Sequence, residues 1–353
     1  MFDKASSIIK DPSKFDFDYI PKNLVNRSVQ MQQMETLFRP LVESGRPCNA
    51  FLMGSVGTGK TVTAKKFCGD LKEYCFGRNI KLEWLYINCR SSNSENAVIV
   101  NLIHHFDPGF PERGFSTEEM ARILMNHLLK NKGNLVIILD EVDVLLKKNS
   151  VDLIYQITRL SDPSGRSIPR SLMMISQQSI YELMDEASVS TFKKSTMVKF
   201  NKYSQEELRQ IVTERAEEAL FPGRISDDAL DQIAESSEEY GDARMALELL
   251  EHAAIIAENN TLGEVTVEDI RSAKSHIYSM LSEDKLVSLD INRKLVLLSA
   301  ARAMKQNVVI LTSTVEKTYA IVCEEYNVPA RKHTQFWKYL QDLEKLGFVK
   351  TKT

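Results

Sequence analysis

The clearest chemistry in the chain sits in eight residues, Gly54-Ser55-Val56-Gly57-Thr58-Gly59-Lys60-Thr61. They fill every defined position of the Walker A phosphate-binding pattern. Glycines let successive backbone N–H groups curl around phosphates, and a helix starting at the loop adds the positive potential of its N-terminus. Lys60 supplies a cation for the β- and γ-phosphates, and the Thr61 hydroxyl a ligand for magnesium. Gly57, Thr58, Gly59, Lys60, Thr61 and Val62 are the candidate phosphate cradle.

A second constellation follows roughly 80 residues on, a spacing that argues against a chance pair of acidic residues at a strand end. It is Leu135-Val-Ile-Ile-Leu-Asp140-Glu141. Five apolar residues make a buried strand, and two carboxylates emerge at its C-terminal end, where open α/β sheets bind ligands. In that position Asp140 holds magnesium through water, and Glu141 orients or deprotonates the attacking water. Asp143 reads as structural. The cofactors expected are ATP or ADP with magnesium, the metal lying between Thr61 and Asp140.

These groups need a rigid frame, and the flanking sequence provides one. Asn49–Met53, Leu82–Asn88, Leu135–Leu139, Leu172–Ser176 and Met197–Phe200 read as strands covered on both faces, alternating with amphipathic helices. Residues 1–203 are therefore expected to form an α/β P-loop base with a parallel sheet. Ser116-x-x-Glu119 is a capping box opening a helix that Gly133 stops. Residues 204–280 hold no strand pattern. Ser204-x-x-Glu207, Ser226 and Thr266 are N-caps of an all-helical lid. A linker at Leu281–Leu289 leads to 285–353, where Asn292–Gln306, Thr314–Tyr326 and Arg331–Leu346 read as helices before a strand start at Phe348-Val349-Lys350. That order points to a winged helix-turn-helix.

Composition narrows the class. The chain has 353 residues, 43% hydrophobic and 26% charged, the balance of a globular protein. Asp3 and Lys4 precede too short an apolar stretch for a secretory signal. No apolar run reaches the roughly 20 residues of a membrane helix, so a cytoplasmic, nucleoid-associated protein is expected. The five cysteines form no Cys-x-x-Cys pair and read as reduced thiols. From Lys285 onward twelve basic residues face six acidic ones, a net of +6 against −9 for the remainder. Such asymmetry points to a C-terminal face for nucleic acid.

The chain resembles the archaeal replication initiator family related to origin recognition complex subunit one and cell division control protein six, which are AAA+ ATPases. The resemblance spans nearly its whole length. Asp18-Tyr-Ile20-Pro21-Lys-Asn-Leu-Val-Asn-Arg27 is similar to a family segment that lies against the adenine, which implies contacts from Ile20 and Pro21. Asp140-Glu-Val-Asp143 has the family's form of Walker B. Tyr203 and Arg215 match residues that border the nucleotide; on sequence alone Tyr203 reads equally as hinge packing and Arg215 as a surface ion pair. Gly241-Asp-Ala-Arg244 matches the sensor 2 helix, which implies that Arg244 approaches the γ-phosphate; a plain helix salt bridge is the alternative. Gln177 stands at sensor 1, where relatives carry Asn, and keeps the amide on a longer arm.

A second departure concerns turnover. Ala187 stands where the family places an arginine finger, and no arginine occurs between Arg170 and Arg209. At the other end, Arg331, Lys332, Thr334, Gln335 and Lys338 fall in the first two turns of the last helix, the end that enters the major groove. Phe336, Trp337, Leu340 and Leu343 read as its core face. The sequence stops at Thr353, soon after the wing should begin, so a shortened wing is expected. Asn101–Gly114 sits where relatives carry a DNA-contacting insertion, and His104 and His105 there read as helix surface. The resemblance implies origin duplex DNA and the replicative minichromosome maintenance helicase as partners, with self-association on DNA. The rival reading is a nucleotide-bound adaptor that acts through protein partners with weak DNA specificity.

An arginine finger supplies about 10³–10⁵ in rate. With Ala187 in its place, ATP hydrolysis should be slow, and its specific activity should stay flat as protein concentration rises. Glu141→Gln should lower the rate further while binding persists. A steep rise of specific activity with concentration would contradict this.

Overall fold

The computed structural model describes residues 6–130, 133–147, 157, 170–180, 196–239, 241–260, 263–304, 310–349 and 351. The chain divides into two compact units, Met1–Ile270 and Arg271–Thr353.

Five strands form the sheet of the first unit: β1 (Asn49–Met53), β2 (Leu82–Asn88), β3 (Asn134–Asp140), β4 (Arg170–Ser176) and β5 (Met197–Lys199). They are parallel, in the order β2-β3-β4-β1-β5. The apolar run in β3 has a direct cause. Leu135, Ile137 and Leu139 pack into one core layer and Val136 and Ile138 into the other, so neither face has room for a polar residue. The first layer takes in α3 (Glu95–Phe106) and α4 (Thr117–Lys130). The second takes in α1 (Ser28–Ser44) and α2 (Lys60–Phe76). The Ser116 capping box opens α4 as expected: Ser116 N–H donates to Glu119 Oε2 at 2.8 Å, and Glu119 N–H returns to Ser116 Oγ at 3.2 Å.

Register carries the frame's function. Asp140 is level with Asn88, and Met53 is level with Ser176. The phosphate loop, the Walker B carboxylates and Gln177 therefore leave the sheet at one edge. A short helix, α5 (Val142–Leu146), follows the carboxylates and buries Asp143, which pairs with Lys147 at 3.3 Å. That is the structural role expected of it.

The lid comprises α6 (Gln205–Ala219), α7 (Asp227–Glu238) and α8 (Ala243–Asn259). Both halves of the Ser204–Glu207 capping box are made, Ser226 caps α7 and Asp242 caps α8. An N-terminal strap lies on these helices. The N–H groups of Lys10 and Asp11 donate to Ala219 O at 2.8 and 3.0 Å, and Phe221 N–H donates to Ile8 O at 2.9 Å. The next helix, α9 (Val267–Ser288), runs through the stretch expected to be a linker. Residues 281–288 are helical because no Gly or Pro interrupts them, and the lack of a breaker outweighs their weak apolar pattern.

In the second unit α10 (Ile291–Ala303), α11 (Thr312–Glu325) and α12 (His333–Lys345) pack around Leu295, Val296, Tyr319, Val322, Phe336, Leu340 and Leu343. Asn327, with φ 54°, turns the chain out of α11, and Val328 N–H closes the turn on Cys323 O at 2.9 Å. Phe348 and Val349 are not a strand as expected; they fold back onto this core. Thr351 then ties to α12, its N–H and hydroxyl donating to Glu344 Oε1 at 2.8 and 2.6 Å. All five cysteines are free and buried. Among the described residues no helix is long and apolar enough to cross a membrane.

Candidate nucleotide-binding site

The phosphate loop leaves β1 and closes on α2. Gly57 and Gly59 have φ of 69° and 81°, which residues with a Cβ rarely adopt. Space is also lacking. A Cβ on Gly57 would lie 1.5 Å from Asp242 Oδ1, and one on Gly59 would lie 2.5 Å from the Tyr203 hydroxyl. The lid meets the loop here, since Ala243 N–H donates to Gly57 O at 3.1 Å. Lys60 Nζ donates to Gly54 O at 2.7 Å and Ser55 O at 2.6 Å, which pins the ammonium at the loop. Burial pushes the Lys60 ammonium below its ordinary range, and the Asp140 carboxylate pulls it back.

Thr61 and Asp140 are joined beside the loop. Thr61 Oγ1 donates to Asp140 Oδ2 at 2.6 Å, Tyr86 OH to the same oxygen at 3.1 Å, and Glu141 N–H to Asp140 Oδ1 at 2.8 Å. Burial, reinforced by the Asp140 charge, pushes the Tyr86 phenol above its ordinary range. Glu141 sits at φ 53°, a left-handed conformation that costs energy for a non-glycine residue and turns the chain sharply after β3. Its carboxylate accepts from Arg90 Nε at 2.7 Å.

One cleft of about 440 Å³ collects these groups, within the range of small-molecule sites. Gly57, Gly59, Lys60, Thr61 and Val62 line its floor. Asp140, Glu141 and Gln177 line the side at the sheet edge, and Arg215 and Arg244 reach in from the lid. Ile20 lines it with the strap residues Phe15 to Tyr19. A magnesium nucleotide fits this donor set. Two loop glycines sit where a Cβ would collide with its neighbours, and the Thr61 and Asp140 oxygens stand beside a lysine at the cleft. Magnesium sites use one or two carboxylates plus phosphates rather than a full protein cage. No cluster of three His, Cys, Asp or Glu able to hold a metal occurs among the described residues. His104 instead bonds Phe110 O at 2.7 Å, and His105 bonds Glu83 at 3.1 Å.

Several expected residues stand elsewhere. Pro21, Thr58 and Tyr203 do not line the cleft. Tyr203 is buried behind Gly59, because its ring is needed there as a platform. On it lies Arg27, its Cζ 3.7 Å from the ring centroid. Arg27 is 4% exposed; its Nε and Nη2 donate to Thr58 O at 3.1 and 2.9 Å, and Nη2 also to Asn201 O at 3.3 Å. Nothing in the sequence marks this role beyond the position of Arg27 at the end of the Asp18–Arg27 segment. Arg215 is not on the surface, although its Nε lies 3.9 Å from Glu218 Oε2. It is buried, donates to Lys14 O at 2.6 Å and lies 4.8 Å from the centre of the Tyr19 ring. Arg244 is exposed, with its Cζ 5.5 Å from the centre of the Phe17 ring. Tyr86 and Arg90 were missed because a strand pattern does not say which side chain will face a carboxylate. Ala187 lies outside the described residues.

In the second unit the basic residues fall differently from expectation. Arg331 and Lys332 precede α12, with Lys332 its N-cap. Residues 331–332 are extended because the N-cap and the residue before it follow Pro329 and Ala330 out of a turn, not a helix. Arg331 N–H donates to Tyr319 OH at 3.4 Å. Arg331, Lys332, Thr334, Gln335 and Lys338 are all exposed at one end of α12. Trp337 is exposed as well, and Tyr339 takes the core place expected for it, since Phe336, Tyr339, Leu340 and Leu343 share one helical face.

Three family models match the chain: an AAA domain over residues 46–184, a Cdc6 AAA+ ATPase-type lid domain over 209–275, and a CDC6 C-terminal winged helix domain over 284–353. The ORC1-type DNA replication protein of Pyrococcus horikoshii is 30% identical over 99% of this chain and 84% of its own length. The chain belongs to the ORC1-type DNA replication protein family. Solved members superpose along nearly all of it. The Aeropyrum pernix ORC1 protein, solved in complex with DNA, gives a TM-score of 0.78 at 26% identity, covering 98% of this chain and 89% of that one. Cdc6p from Pyrobaculum aerophilum gives 0.68 at 28% identity, covering 98% and 92%. For an ORC1-type chain the AAA+ base, helical lid and C-terminal winged helix are the family architecture.

The buried Arg27 generates a prediction. Arg27→Ala removes four charged hydrogen bonds, two of them to the buried Thr58 O, so unfolding free energy should fall by about 1.5–3 kcal/mol. A urea titration reads this directly, and a loss below about 0.5 kcal/mol would refute the role.

Proposed function

We propose that the chain is an ATP-binding replication initiator that binds origin duplex DNA and recruits or loads the replicative minichromosome maintenance helicase. The observation that carries this is the convergence of phosphate loop, Thr61–Asp140 pair, Glu141, Gln177 and Arg244 on one cleft, in an ORC1-type chain. The DNA in the Aeropyrum pernix ORC1 complex supports the choice of partner. We divide the chain into a base at 1–203, a lid at 204–280 and a winged helix at 285–353, and infer a nucleoid-associated, cytoplasmic protein that self-associates on DNA.

Each cleft residue has a role that its chemistry suits. The backbone N–H groups of Gly57 to Thr61 and the Lys60 ammonium bind the phosphates. Magnesium would be held by Thr61 and Asp140 and would supply charge neutralisation at the β- and γ-phosphates. Glu141 accepts the proton of the attacking water, or orients it, and the Gln177 amide holds that water in line. Arg244 brings a lid charge to the γ-phosphate. Ile20 and Arg215 meet the base end of the nucleotide, and Pro21 and Tyr203 support it from the second layer. In the second unit Arg331, Lys332 and Lys338 meet phosphates, while Thr334 and Gln335 approach base edges.

Lys60→Ala removes the side-chain cation aimed at the phosphates and should weaken ATP and ADP binding strongly. Isothermal calorimetry showing wild-type affinity in this variant would sink the site. For DNA, affinity should fall with salt as phosphate contacts release counterions. Replacing Arg331 and Lys332 together should make the log–log salt slope shallower by about one to two units. No duplex binding by the full chain at low salt, or an unchanged slope in the double variant, would favour the protein-adaptor reading.

A further inference from the structure

The Asp140 carboxylate has a donor that belongs to no nucleotide-binding motif. Tyr86 lies near the end of β2, one strand over, level with Ile138. Its hydroxyl donates to Asp140 Oδ2, the oxygen that also takes the Thr61 hydroxyl. With Glu141 N–H on Oδ1, three donors fix the carboxylate's orientation. Groups that orient a metal ligand in this way tune the affinity of the metal.

Tyr86 is itself held. Lys65 Nζ, from the second turn of α2, lies 4.2 Å from the centre of its ring. A cation over a phenol ring draws on its electron density, which sharpens the hydroxyl as a donor. The same Nζ pairs with Asp18 Oδ1 at 2.7 Å. The Lys65 side chain is only 13% exposed, against 90% for Asp18, so the ammonium is fixed while its partner is free to leave. Asp18 belongs to the strap, whose earlier residues are bonded to the lid through Ala219, Phe221 and Arg215. Contacts therefore run unbroken from strap to carboxylate: Asp18, Lys65, Tyr86, Asp140.

We infer that Tyr86 is a positioning residue for Asp140, and that Lys65 and Asp18 make its grip depend on a seated strap, so that magnesium retention is coupled to strap position. The inference rests on the nucleotide-binding reading above. It gives the site a way to hold its metal more tightly when the strap covers the cleft, without any strap residue touching the metal.

The test uses the full chain and a fluorescent ADP analogue, titrated in magnesium and in EDTA. The ratio of the two affinities is the metal enhancement. In Tyr86→Phe, which keeps the ring, the affinity in EDTA should stay within about twofold of wild type while the enhancement falls about tenfold. Asp18→Asn should lower the enhancement in the same direction but less. The double variant should be no worse than Tyr86→Phe alone, because the two act along one line of contacts. An unchanged enhancement in Tyr86→Phe, an equal loss with and without magnesium, or additive effects in the double variant would each overturn the inference. A wild-type chain that binds no analogue in either buffer would remove the nucleotide reading together with it. Magnesium-enhanced wild-type binding with an unaltered Tyr86→Phe ratio would remove the inference alone.

Discussion

The stacking of Arg27 on Tyr203, with its fork of donors on Thr58 O, is the contact on which the rest of the site depends. The loop must offer its N–H groups forward to phosphates, so its carbonyls face backward, and a buried carbonyl needs a donor. Arg27 provides it from the segment that follows the strap. The same guanidinium reaches Asn201 O at the exit of the sheet, and Tyr203 starts the passage into the lid. One planar cation thus ties the segment after the strap to the loop and the hinge. A lysine could carry the charge but not the fork or the stack.

The sheet supplies the other constraint. Parallel strands in this register end together, so groups distant in sequence emerge side by side. Asp140 and Asn88 are level, as are Met53 and Ser176. Chemistry is assembled at that edge by residues just past a strand end: Lys60 after β1, Arg90 after β2, Glu141 after β3 and Gln177 after β4. The lid and strap then close the side that the sheet leaves open.

The parts that were legible in the sequence share a property: their signal is local. A strand buried on both faces is a continuous apolar run, and β1, β3 and β4 are legible for that reason; the edge strands β2 and β5 are only partly buried, and shorter apolar stretches mark them. The Ser116 capping box and the Ser204 N-cap, which the structure completes as a capping box, are four-residue signals and legible for the same reason. Reading failed where the deciding partner is remote. Trp337 is a large apolar residue, but it lies off the face that Phe336, Tyr339, Leu340 and Leu343 share and is exposed, so residue type alone misleads there. The start of α12 was placed two residues early because neither Arg331 nor Lys332 carries a capping signal. Arg27, Tyr86 and Arg90 act on residues 31, 54 and 51 positions away, and no window on the sequence contains both partners.

Asp242 resting against Gly57 has a consequence for how this loop tolerates change. The backbone at residue 57 is judged once by its own dihedral angle and again by the lid that lands on it. The first judgement applies to the isolated loop, the second only when α8 docks. A methyl group there would therefore act as a wedge, present in every state but felt mainly in one. Neighbouring Val56, which is 42% exposed, stands under no such double inspection. The loop is thus a keyhole with one position cut to the lid's shape, and its sequence freedom is rationed residue by residue according to what touches it on closure.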